Sequence, residues 1–113
     1  YNYIIKTKNN KNNIPEIFIK NYLLNNNINI KCWSIIEKLY KNGQYEKAVD
    51  VCIQLLNFAP NNKLAYNNMC ASYNQLKEWD LAKAACKNAL TIDPNFQIAK
   101  NNLNWANREL NKK

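Results

Sequence analysis

Two asparagine pairs, Asn67-Asn68 and Asn101-Asn102, stand 34 residues apart in a chain of 113. A carboxamide carries donors and an acceptor together, the set that an extended peptide backbone needs from a partner. Repeated at a fixed interval, such pairs match the pairing needs of main chain rather than those of proton transfer. The spacing is weighed against composition, because 24 of the 113 residues are Asn and such an alignment arises easily by chance. Trp33 and Trp105 are the aromatic counterparts, flat side chains that either anchor a ligand or pack against flanking helices.

Residues for bond-making chemistry are scarce. The chain has no His, no glycine-rich phosphate loop, and no Ser or Cys beside a base. Glu37, Glu46 with Asp50, and Glu78 with Asp80 fall where pairing with Lys along a helix face is the ordinary role. No enzymatic activity and no cofactor are expected. The four cysteines, Cys32, Cys52, Cys70 and Cys86, include no Cys-x-x-Cys pair, and without His they offer no soft-metal cluster. They are expected to be buried free thiols that pack as small apolar groups. A Cys52–Cys86 bridge is disfavoured, because the two would lie on successive second helices whose axes run about 8–10 Å apart. Unpaired thiols favour a cytoplasmic setting, or the soluble face of a membrane protein.

Net charge is +8, but it is unevenly placed. Residues 1–31 carry five Lys and one Glu, residues 32–61 three Lys and three acids, and residues 62–113 eight basic and four acidic side chains. A neutral centre argues against a continuous phosphate-tracking groove, so nucleic acid is not expected as partner. No apolar run approaches the roughly 18 residues of a membrane span. The chain begins at Tyr1 with neither initiator Met nor a signal-peptide pattern, which suggests a processed product or an excised segment.

The elements that must position these residues follow from a period. Tyr45/Trp79, Ala48/Ala82, Cys52/Cys86, Leu56/Leu90 and Pro60/Pro94 are each 34 apart. A period in the range of about 20–50 residues signals stacked supersecondary units, each covering its neighbour's apolar face. Residues 1–14 read as a mobile polar lead. Residues 15–28 read as a flanking helix opened by Pro15 and Glu16. Unit one spans 29–62, with helices from about Asn29 to Lys41 and Tyr45 to Phe58 around a turn at Asn42-Gly43. Unit two spans 63–96, with helices from about Lys63 to Leu76 and Trp79 to Thr91; its turn at Lys77-Glu78 lacks glycine yet should follow a similar path. Residues 97–113 hold a last helix, drawn from about Phe96 to Leu110, and a basic tail. One further period lands on Lys100, Leu103, Asn104 and Asn107, of which only Leu103 fits, so this helix caps the stack. The fold class is all-α, a short α-solenoid of antiparallel helix pairs.

Tyr66, Met69, Cys70, Tyr73, Ala82, Cys86 and Pro94, preceded more loosely by Cys32, Ile35, Ile36, Leu39, Ala48, Cys52 and Pro60, give residues 29–94 a pattern that resembles two tetratricopeptide repeats. In that family the first helix of each repeat lines the concave wall. The resemblance therefore implies a peptide-binding wall containing Trp33, Glu37, Tyr40 and Lys41, then Asn67, Asn68, Ala71, Asn74 and Gln75, then Asn101, Asn102, Trp105 and Arg108. The amide pairs look like the asparagine ladder of O-linked N-acetylglucosamine transferase. The carboxylate clamp that grips chaperone tails is not matched: its basic and amide positions fall on Trp33, Glu37, Ile98 and Asn102, and only Asn68 agrees. The expectation is a non-enzymatic module that binds a protein or peptide in this groove, with Ala at Asn68 and Asn102 weakening it. The alternative is a docking tail of a larger bacterial membrane protein, since residues 65–106 look like the terminal repeats of some glycosyltransferase-like proteins. Two repeats also leave apolar ends through which copies could associate.

Overall fold

In a computed structural model, residues 28–112 form five α-helices and no strand among the described residues. They are α1 (Ile28–Lys41), α2 (Tyr45–Phe58), α3 (Lys63–Gln75), α4 (Trp79–Ile92) and α5 (Gln97–Leu110). The expected lead and flanking helix lie outside these residues, apart from the start of α1.

Each helix follows from spacing and from its ends. Cys32 and Ile36 lie one turn apart on the buried side of α1, and Lys38 and Lys41 sit in its last turn, where cations favour the helix dipole. In α2 the buried set is Ala48, Val49, Cys52 and Leu55, and in α4 it is Ala82, Ala85, Cys86 and Ala89. Small residues along α4 let it approach its neighbours closely. α3 starts at Asn62, whose side-chain oxygen accepts the Ala65 backbone N–H at 3.2 Å. Its buried residues, Ala65, Asn67, Asn68, Cys70, Ser72 and Asn74, are spread around the cylinder because α3 packs against all four other helices.

The two helix-pair turns share one path. Gly43 has φ of 78° and Lys77, 34 residues later, has φ of 61°. In each, the residue after the left-handed position donates its backbone N–H five residues back, Gln44 to Leu39 at 2.8 Å and Glu78 to Tyr73 at 2.9 Å. The Gly43 position is open, with nothing within 4 Å of where a Cβ would stand, so glycine there answers backbone conformation rather than space.

Packing is asymmetric. α1 meets α3 and α3 meets α5, whereas no Cα of α2 comes within 8 Å of one in α4. First helices of the pairs therefore converge on one side, and second helices diverge on the other. The core follows this stacking in two clusters: Cys32, Ile36, Cys52, Leu55 and Ala65, then Cys70, Ala82, Ala85, Cys86 and Ala106.

One sequence expectation is overturned. Cys70 and Cys86 form a disulfide, and only Cys32 and Cys52 are free among the described residues. The partner of Cys86 is on the first helix of its own pair, at a Cα–Cα distance of 5.3 Å, within the usual bridging range. Distances between successive second helices had no bearing on that contact. The argument from unpaired thiols for a cytoplasmic setting loses half its basis.

Candidate functional site

α1, α3 and α5 carry every residue expected on the concave wall. Their orientations differ sharply. Glu37, Asn101 and Arg108 are exposed; Trp33, Ala71, Asn102 and Trp105 are half-buried; Asn67, Asn68 and Asn74 are buried.

The amides form bonds between helices. The Asn102 side chain donates to Asn67 Oδ1 at 3.0 Å, and Asn74 Nδ2 donates to the Asn102 backbone oxygen at 3.0 Å. Asn102 is thus gripped by α3 at two points. Asn74 is 1% exposed, and its Oδ1 has no protein partner among the described residues. Asn68 faces the other way: its Oδ1 accepts from Ser72 Oγ at 3.2 Å and lies 3.8 Å from the Cys52 thiol. Burial, followed by the neighbouring Cys32, pushes the Cys52 pKa up to about 12, so this thiol stays protonated and donates weakly. Asn101 points outward and accepts from Gln97 Nε2 at 2.9 Å. The two asparagine pairs are equivalent in sequence, but their four side chains have four different surroundings.

Ser72 is a buried neighbour of Asn68 that the sequence candidates do not include. It lies one turn from Asn68 on the same face, and that i to i+4 relation was the available signal.

Aromatic residues of the same helices make further contacts. Trp105 packs on Trp79 with ring centroids 6.2 Å apart, and Trp33 lies against the first core cluster. Both residues are partly exposed. Gln75 Nε2 donates to the Tyr40 hydroxyl at 3.2 Å, tying α1 to α3 along the same side. Tyr40 in turn meets Tyr45 edge-on at 5.2 Å.

At the opposite edge Lys63 pairs with Asp93 and lies 4.9 Å from the centre of the Phe96 ring. That cation holds the Asp93 carboxyl below the usual carboxylate range, helped by the Asn95 backbone N–H. The contact joins the start of unit two to its closing turn.

Helix pairs stacked with their first helices in contact and their second helices apart define a helical-repeat protein. Residues 64–96 match the tetratricopeptide repeat family. Over 59 residues, 52% of this chain, the sequence is 32% identical to "Small glutamine-rich tetratricopeptide repeat-containing protein 2" of Saccharomyces cerevisiae. The chain spans only 17% of that relative's length. Both likenesses support a tetratricopeptide-type repeat in this segment. Among the described residues, no helix is long and apolar enough to cross a membrane.

Proposed function

We propose that the chain is a non-enzymatic protein-interaction module that binds a peptide segment along the wall of α1, α3 and α5. The observation that carries this reading is the convergence of those three helices, which between them carry half-buried Trp33 and Trp105 and exposed Glu37, Asn101 and Arg108. Partly buried aromatics supply anchoring area at little entropic cost, and the polar groups around them supply register. The tetratricopeptide likeness supports the same reading, since repeats of that kind generally mediate protein–protein contact. Asn67, Asn68, Asn74 and Asn102 act in it by fixing the spacing of the helices. Asn101 is the amide best placed to meet peptide main chain.

The test is a selection from a random peptide library on the immobilised 113-residue chain, followed by titration of the selected peptides. Trp33→Ala should weaken them by about tenfold, and Asn101→Ala and Arg108→Glu by less, with helix content unchanged by circular dichroism. Peptides that bind all three variants as tightly as the parent would defeat the proposal.

A further inference from the structure

The divergence of α2 from α4 opens a cleft of about 250 Å³ on the side of the second helices, away from the peptide wall. Its floor is Tyr73 and Leu76 at the end of α3, and its flanks present Ile53 from α2 and Leu81 from α4. Those two aliphatic side chains are 44% and 49% exposed, the degree of exposure that a covering partner would remove.

Around this apolar trough stand Glu46, Asp50 and Glu78. They are three of the eight acids in a chain of net charge +8. None pairs with a cation among the described residues, where the ion pairs are Lys63–Asp93 and Lys112–Glu109. Burial first, and then Asp50, Cys52 and Glu78, raise the Tyr73 hydroxyl on the floor above its ordinary pKa.

Size and charge together select an occupant. At about 250 Å³ the cleft falls below the roughly 300–1,000 Å³ of small-molecule pockets, so it admits one or two side chains of a polypeptide. Lys and Arg lay an apolar stem along aliphatic surface and keep the charged head at a polar edge. Ile53 and Leu81 suit the stem, and Asp50 and Glu78 suit the head. The adjoining hollow, past Leu76, is lined by Lys47 beside Glu46, so the cation belongs at the Asp50/Glu78 end. We propose that this cleft docks an amphipathic segment of a partner protein that presents Lys or Arg next to an aliphatic side chain. It is a second surface, independent of the peptide wall.

The experiment uses the full chain and three short, end-capped fluorescent peptides, one alternating Leu with Lys, one Leu with Glu, and one Ser with Lys. The Leu/Lys peptide should bind saturably, with the other two weaker by about tenfold or more. Asp50→Lys with Glu78→Lys should abolish that preference, and Leu81→Ser, at an exposed position, should weaken binding without touching charge. Asp80→Lys, which does not line the cleft, should retain it. The proposal is overturned if the Leu/Lys peptide does not bind the parent chain, or binds the charge-reversed variant equally. Equal binding of Ser/Lys also overturns it, by showing a merely ionic surface. A dimer of the parent chain in sedimentation that Asp50→Lys/Glu78→Lys dissolves would overturn it too, by assigning the cleft to a second copy instead.

Discussion

Units one and two follow nearly the same backbone path with different chemistry at matching places. Gly43 and Lys77 both take the left-handed turn; Ile36 fills in α1 the place that Cys70 holds in α3; and Cys52 donates weakly to Asn68 where its counterpart Cys86 is covalently bound. A repeat backbone is fixed by the apolar stripe and by the helix ends, and many side-chain solutions satisfy both. Unit one closes its core by apolar bulk, since Ile36 is fully buried, and unit two closes its core with a bridge and small alanines.

The largest test removes the bridge. Replacing Cys70 and Cys86 together by Ala should cost about 3 kcal/mol, as expected for a crosslink closing a loop of roughly 15 residues. The cost should appear as a lower denaturant midpoint under oxidising conditions and shrink when the parent is reduced. An unchanged midpoint would mean that unit two, like unit one, holds by packing alone.

Next comes an attempt to convert unit one into unit two. Ile36→Cys places a thiol at the position equivalent to Cys70, facing Cys52, the equivalent of Cys86. Oxidation should then yield, by peptide mapping, a disulfide between the new thiol and Cys52, while the lost bulk destabilises the reduced form by about 1–3 kcal/mol. Failure to link would show that the helices of the two pairs sit at different separations.

Smaller effects belong to the turns. Gly43→Ala should destabilise by about 1 kcal/mol, because a side chain disfavours positive φ, and Lys77→Gly should stabilise by a similar amount. Thermal melts of the two variants should move in opposite directions, and movement in the same direction would break the equivalence of the turns.

The smallest effect is a pH dependence. Asp93 has a depressed pKa when folded, so its contribution is present above the unfolded carboxylate value and is lost as pH falls through the folded one. Asp93→Asn should therefore melt below the parent at neutral pH, and the gap should close as pH drops below about 4. A gap that persists in acid would trace it to packing around Phe96.

Much of the fold was legible in the sequence for a local reason. α2 begins and ends where its period and turn residues place it, and α1, α3, α4 and α5 differ from the sequence expectation by a residue at one end. Helix ends depend on turn chemistry within a few residues, and the buried stripe depends on the 3.6-residue repeat. The site was less legible. Asn67, Asn68, Asn101 and Asn102 looked interchangeable, yet Asn102 and Asn67 bond each other, Asn68 turns to Ser72, and only Asn101 faces out. A rotation of one position about a helix axis moves a side chain by about 100°, so adjacent amides look in different directions.

Legible in the amino-acid sequence were an all-helical, 34-residue repeat, its turns at Gly43 and Lys77, and a further helix after it. Which cysteines join, which amides are sealed between helices, and where the second helices part to leave an acidic cleft came from tertiary packing. Those outcomes depend on distances of a few ångström between helices, and such distances are set by the sizes of side chains far apart in the chain.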